Sequence, residues 1–148
     1  MRKNVILLVE DNENDEKLTL RALEKNEILH EVLVVRSGME ALSTLHKLDK
    51  DSKKDQGIMP ELVLLDIGLP GMDGVEVLKR IKTDCRTQNL PVVVLTTSSE
   101  EKDMAACYKY GANSYIRKPI DFEDFIKKVG TIGKYWLEVN EPPPLGVA

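Results

Sequence analysis

The sequence predicts an α/β fold in which one parallel sheet is covered by helices on both faces. Three observations carry that expectation. Short runs rich in Val, Leu and Ile recur along the chain. They are apolar at consecutive rather than alternate residues, the pattern of strands buried on both sides. Between them lie segments whose apolar residues return every three or four positions, as on an amphipathic helix. The two kinds of segment alternate five times with short connections, and alternation of that kind implies a parallel sheet.

Val5-Ile6-Leu7-Leu8-Val9 is the first strand, and it ends in Glu10-Asp11. Asn12 to Asp15 supply acids and cap residues for a helix start. Leu18, Leu20, Ala22, Leu23 and Ile28 form an imperfect stripe that places this helix over residues 15 to 27. Glu31 to Val35 reads as the second strand. Ser37-Gly38 breaks it, and Ala41, Leu42, Leu45 and Leu48 repeat at helical spacing. Asp49 to Gly57 is charged without a period and is expected as an exposed loop.

Leu62-Val63-Leu64-Leu65 then runs straight into Asp66. Gly68, Pro70, Gly71 and Asp73-Gly74 follow as a dense set of turn signals. Val75, Leu78 and Ile81 mark a third helix ending near Thr83. Pro91 to Leu95 is the fourth strand, with Pro at its first residue, where it is tolerated. Ser98 or Ser99 is expected to cap a fourth helix, which stops at Gly111. Cys85 and Cys107 both fall in helical-looking segments.

Ser114 to Arg117 is a short fifth strand, followed by Lys118-Pro119. Asp121 caps the last helix, whose stripe is Phe122, Phe125, Ile126, Val129 and Ile132. Gly130 and Gly133 are expected to weaken it. Tyr135-Trp136-Leu137 continue it, and Glu141-Pro142-Pro143-Pro144 end it in an extended tail. The expected organisation is one domain over residues 1–134 with a C-terminal extension over 135–148. Right-handed crossovers permit a flavodoxin-like (βα)5 doubly wound sheet of strand order 2-1-3-4-5.

Bulk properties narrow the function. The chain has 148 residues, 42% hydrophobic and 31% charged, which suits one globular domain with a real core. A net charge of −4 argues against nonspecific nucleic-acid or anionic-membrane binding. Two cysteines with no C-x-x-C point to a reducing cytoplasm rather than a disulfide framework. No apolar run approaches the roughly 20 residues of a membrane span, and the N-terminal run is too short for a signal peptide.

The strand ends are the most informative feature. In an open α/β sheet, ligands bind outside the carboxyl ends of the strands. Here those ends carry Glu10-Asp11, Asp66, Thr96-Thr97 and Lys118. Each has a plainer role available. Asp66 suits a turn, Thr96 a helix cap, and Lys118 a surface ion pair. Together they bring three carboxylates, a hydroxyl and an ammonium to one crevice. Three clustered carboxylates repel unless a cation joins them or one takes a proton. A hard divalent ion with oxygen ligands, Mg²⁺ above all, fits that composition. Neither His30 nor His46 lies near a strand's carboxyl end, so zinc is not expected. A carboxylate beside such an ion can act as a nucleophile toward phosphorus. The ion and Lys118 would offset charge on the phosphoryl oxygens, and Thr96 would hydrogen-bond the product.

The sequence resembles the receiver domain of two-component response regulators. The matching pieces are Glu10-Asp11-Asn12, the segment Asp66 to Gly74, then Thr96, Tyr115 and Lys118-Pro119. The intervals from Asp66, thirty residues to Thr96 and fifty-two to Lys118, match the family's spacing. The likeness covers about residues 4 to 130. It implies that Asp66 accepts a phosphoryl group from a sensor histidine kinase. It also implies that Asp11 ligates Mg²⁺ directly, Glu10 through water and the carbonyl of Gly68 as a further ligand, with Mn²⁺ or Ca²⁺ able to substitute. Thr96 and Tyr115 would be the switch pair that moves the face formed by helix 4, strand 5 and helix 5. The protein would assist its own phosphorylation and dephosphorylation without being an enzyme on external substrates.

The chain stops too soon for the output domain that often follows a receiver. The charged stretch 49–57 and the tail from Tyr135 look similar to the small receivers that serve cyanobacterial phytochrome kinases. That likeness implies a red/far-red light signal and a homodimer through the helix 4–strand 5–helix 5 face. Tyr135, Trp136 and Leu137 are candidate dimer or partner contacts, since aromatics are enriched at interfaces. A histidine phosphotransfer protein is a further candidate partner. Gly68 is smaller and Thr97 bulkier than the residues common at those places, and Gly68 and Ser98 border the route for attacking water, which leaves the lifetime of phospho-Asp66 open.

Two other readings stand beside this one. A Mg²⁺-dependent phosphatase with an aspartyl nucleophile would want a second Asp two residues on, where Gly68 stands. A phosphorylation-independent binding module would have no use for the full Asp66, Thr96 and Lys118 set. A flavin mononucleotide carrier shares the fold, but three acids would repel the flavin phosphate.

Overall fold

A computed structural model describes residues 5–55 and 59–143 of the chain. Five strands, β1 (Val5–Val9), β2 (Glu31–Val35), β3 (Leu62–Leu65), β4 (Val92–Thr96) and β5 (Ser114–Arg117), alternate with five helices. The helices are α1 (Glu13–Lys25), α2 (Gly38–Asp55), α3 (Gly74–Thr83), α4 (Glu101–Lys109) and α5 (Phe122–Gly133). All strand pairs are parallel, in the order β2-β1-β3-β4-β5. This is the doubly wound order expected from the sequence.

The continuous apolar runs have a direct physical cause. Successive side chains of a strand point to opposite faces. Leu7, Val9, Val63, Leu65, Val92 and Val94 therefore enter one core with Ala41, Leu45, Val77, Leu78, Ile81 and Cys107 from α2, α3 and α4. Ile6, Leu8, Leu62, Leu64, Val93 and Leu95 enter the other with Ala22, Leu23, Phe125, Val129 and Ile132 from α1 and α5. A strand with a core on each side has no position left for a polar residue. The first polar residue therefore falls where the strand ends, at the sheet's carboxyl edge.

Helix ends follow their caps. Asn12 accepts from the backbone N–H of Asp15, Asp73 from that of Glu76, and Asp121 from that of Glu123. Helix α1 spans Glu13–Lys25, two residues earlier at each end than expected. Glu27 follows with φ at 57°, which ends the helix. Leu18 of the expected stripe turns outward.

Four expectations are corrected. Helix α2 continues to Asp55, through most of the stretch expected as a loop from Asp49. Lysine is a good helix former, and a helix already nucleated extends at little cost. Gln56 and Gly57 lie outside the described residues, as does Pro144 of the expected tail. Neither Ser98 nor Ser99 is the cap of α4, because that helix begins one residue later than such a cap requires, with Glu100 at the cap position. Cys85 lies in the exposed turn after α3 rather than in a helix, while Cys107 is buried in α4.

The fourth correction concerns Gly130 and Gly133, which do not interrupt α5. A Cβ on Gly130 would lie 2.3 Å from Asn26 Oδ1, and one on Gly133 would lie 2.3 Å from Ile28 Cδ1. Both glycines let α5 approach the end of α1. Asn26 closes that seam, with its Nδ2 donating to the carbonyls of Ala22 at 2.7 Å and Ile126 at 2.9 Å. Beyond Gly133 the helix widens into a π-helical turn, Lys134–Val139. Tyr135 and Trp136 meet edge to face at 5.0 Å. No helix among the described residues is long and apolar enough to cross a membrane.

Candidate functional site

The sheet hydrogen bonds run one residue past the strands and fix the polar residues that follow. Glu10 N–H donates to the carbonyl of Val35 at 2.9 Å, Asp66 N–H to that of Val9 at 3.1 Å, and Lys118 N–H to that of Thr96 at 2.7 Å. Because all five strands run the same way, these residues meet at one edge. The backbone positioning each side chain is thus part of the sheet, not a free loop.

Lys118 sits among the acids. Its Nζ donates to Glu10 Oε1 at 2.6 Å and Asp15 Oδ2 at 3.2 Å, and lies 3.9 Å from Asp66 Oδ2. Carboxylate oxygens of Glu10, Asp15 and Asp66 all fall within 4.8 Å of one another. Glu10 is 1% exposed. Its burial, helped by a hydrogen bond with Asp66 and opposed by Lys118, raises its pKa to about 7. Burial alone would lower the Lys118 pKa, but Glu10, with Asp66 and Asp15, reverses that and holds it above the ordinary value. One ammonium faces three carboxyl groups, so the cluster has room, in charge and in ligand chemistry, for a hard cation.

Asp15 and Asp66, but not the buried Glu10, open onto a crevice of about 680 Å³, also lined by Asp11, Asn12, Gly68, Asp73, Thr96, Thr97, Ser98 and Asp103. Asp11 is exposed on its wall. The backbone N–H of Gly68 donates to Asp66 Oδ1 at 3.1 Å and orients that carboxylate. Thr96 is 3% exposed, and its Oγ1 accepts from Ser98 N–H at 3.2 Å. The Tyr115 hydroxyl donates to the Ser98 carbonyl at 3.1 Å, and burial raises its pKa.

The structure thus gathers Glu10, Asp66 and Lys118, and it joins Thr96 to Tyr115 through Ser98. Asp11 and Gly68 stand on the crevice wall. Tyr135, Trp136 and Leu137 lie elsewhere, in the turn after α5. Trp136 and Leu137 pack against the α1–α5 core while Tyr135 remains about half exposed. Sequence reasoning missed Asp15, which it took only as a helix-start acid. Its place one helical turn after Asn12 was the only hint, and the sequence does not say that this turn faces the strand ends.

Comparison with known proteins adds a family. Residues 6–130 match the response regulator receiver domain. The response regulator Rcp1 of Synechocystis sp. is 40% identical over 139 residues, covering 94% of this chain and 92% of that protein. The probable methanogenesis regulatory protein FilR2 of Methanothrix harundinacea is also 40% identical over 139 residues, covering 94% and 87%. Among solved structures, the phosphorylated cyanobacterial phytochrome response regulator RcpA matches with a TM-score of 0.84 at 38% identity, over 97% of this chain and 100% of that one. The Mn²⁺-bound form of Rcp1 matches with a TM-score of 0.81 at 38% identity, over 95% and 99%.

Proposed function

The chain belongs to the response regulator receiver domain family, and from that premise we propose that Asp66 is the residue that accepts the phosphoryl group. The observation that carries this reading is the position of Asp66 itself. It is held at a strand end by the sheet, oriented by Gly68 N–H, and 3.9 Å from a buried ammonium. A carboxylate oxygen of Asp66 attacks phosphorus, the phosphohistidine P–N bond of a sensor kinase breaks, and the histidine nitrogen leaves with the electron pair. Lys118 turns toward the phosphoryl oxygens and offsets their charge. Thr96 reaches the same group by its hydroxyl.

The acids fit Mg²⁺, with Mn²⁺ or Ca²⁺ as substitutes, because every donor is a hard oxygen. Asp11, Asp66, Glu10 through water and the Gly68 carbonyl are the residues that would hold it, and Asp15 is placed to join them. When bound, the ion supplies charge neutralisation at the phosphoryl oxygens. The protein assists its own phosphorylation and dephosphorylation rather than turning over external substrates. Thr96 and Tyr115 carry the change to the face of α4, β5 and α5.

We assign residues 1–134 to the receiver and 135–148 to an extension that serves a partner or dimer contact through Tyr135, Trp136 and Leu137. A sensor histidine kinase is the upstream partner. The similarity to the phytochrome response regulator RcpA supports a kinase of phytochrome type; a cytoplasmic location, a homodimer and a histidine phosphotransfer protein as a further partner complete the proposal. FilR2 is as similar as Rcp1 and is named for a different pathway, so phosphotransfer from purified candidate kinases decides the input.

Acetyl phosphate with Mg²⁺ should add one phosphoryl group by intact mass, and Asp66→Asn should take up none. Phosphate on the Asn variant at the same site would overturn the assignment. An unchanged mass of the wild-type protein would leave only a binding module.

A further inference from the structure

The segment between β4 and α4 is held together at one residue. Ser98 N–H donates to Thr96 Oγ1 at 3.2 Å, and its carbonyl accepts from the Tyr115 hydroxyl at 3.1 Å. Its own hydroxyl accepts from Glu100 N–H at 3.3 Å and donates to Asp103 Oδ2 at 2.6 Å. A hydroxyl donating to a carboxylate at that distance makes a charge-assisted bond, roughly twice as strong as a neutral one. Glu100, at the cap position of α4, brings no side-chain cap of its own. Both residues of the proposed switch pair and the first turn of α4 therefore meet at one serine.

We propose that Asp103 is a positioning residue of the switch: its bond with Ser98 latches the segment in the arrangement described above and opposes phosphorylation at Asp66. The inference rests on the Asp66 reading. Asp103 lines the same crevice as Asp66. A phosphoryl group brings about two negative charges into that crevice. Like charge pushes Asp103 outward, while the Thr96 hydroxyl is drawn toward the new oxygens. Both movements act on Ser98, one through its hydroxyl and one through its N–H. Tyr115 follows, because its hydroxyl is tied to the Ser98 carbonyl. A ligand moves an equilibrium only by its differential affinity for the two states. The latch exists in one arrangement and is lost in the other, so it is part of that difference. Its removal raises the affinity of the site for a phosphoryl mimic.

The test uses the full chain with Mg²⁺ and beryllofluoride, which imitates a phosphoryl group on a carboxylate. Asp103→Ala should bind beryllofluoride about ten to a hundred times more tightly than wild type, the size of one hydrogen bond to a charged group. Asp103→Asn keeps an acceptor oxygen but loses the charge, so its affinity should fall between those of wild type and Asp103→Ala. Ser98→Ala should match Asp103→Ala, Ser98→Thr should match wild type, and the Ser98→Ala/Asp103→Ala pair should gain no more than either single change. A residue with a merely structural role would weaken binding when removed, not strengthen it. Unchanged or weaker binding in Asp103→Ala overturns the latch. So do additive effects in the pair, or an Asn variant that behaves like Ala, since charge alone would then be the cause. Wild-type protein that does not bind beryllofluoride sinks the Asp66 reading itself, which separates the two failures.

Discussion

The two sides of the sheet are built differently. On one, α1 and α5 meet along a seam with no slack. Gly130 and Gly133 clear a path for Asn26 and Ile28, and the Asn26 amide ties both helices together. On the other, α4 buries a single residue, Cys107, and its start hangs from Ser98 by polar contacts. The seam is held by shape, which changes only at a cost of several interactions at once. The α4 start is held by hydrogen bonds to a hydroxyl and a carboxylate, which a new charge nearby can rearrange. Under the proposed switch the contrast divides the labour: the α1–α5 seam is the part that resists movement, and the α4 start, tied to Ser98, is the part that a new charge near Asp66 would rearrange.

Breaking the seam should therefore cost stability and leave the site's chemistry alone. The largest effect is expected from Gly130→Leu. Its side chain has no room beside Asn26, so α5 must lift from α1. The variant should lose about 2–3 kcal/mol of unfolding free energy in urea, the upper part of the usual range for overpacking. The surviving folded fraction should still bind Mg²⁺ with wild-type affinity. Stability within 0.5 kcal/mol of wild type, a margin set by surface substitutions, would show that the seam has slack after all. Asn26→Ala comes next, at about 1–2 kcal/mol, because the bonds from the Asn26 amide to the Ala22 and Ile126 carbonyls are lost while the fold stays. A loss as large as that of Gly130→Leu would mean that the amide, not the close approach, holds the seam.

The sheet and the site's position were legible in the sequence because both follow from burial. Runs such as Leu62–Leu65 have a core on each side, and the first polar residue after each run marks the working edge. Glu10, Asp66, Thr96 and Lys118 could be named on that ground alone. Asp15 could not, because helix periodicity says nothing about which way the first turn of α1 faces across the crevice. The glycines of α5 were misread for a related reason. Propensity prices a glycine by its own helix, whereas Gly130 answers to Asn26, a hundred and four residues away. The loop expected at Asp49 failed because charge without a period does not by itself distinguish a loop from a helix, and helix α2 runs on to Asp55.

The smallest effect separates site from seam by pH. In the metal-free protein, Glu10 has its pKa raised to about 7 by burial, against an ordinary value near 4.5. Between those values the folded state holds a proton that the unfolded state has lost. The stability this confers is fully present below the ordinary value and is lost as pH rises through about 7. A divalent ion binds the ionised form, so it must displace that proton. Affinity for Mg²⁺ should therefore fall about fivefold from pH 7 to pH 6, close to 1 kcal/mol, and level off above pH 8. Glu10→Gln should flatten that dependence. Gly130→Leu, whose change lies in the seam, should keep it. Isothermal titration across pH 5.5 to 8.5 with all three proteins decides the matter. If the slope survives in Glu10→Gln, the proton belongs to another carboxylate of the cluster, and burial of Glu10 is not what sets the metal's pH range.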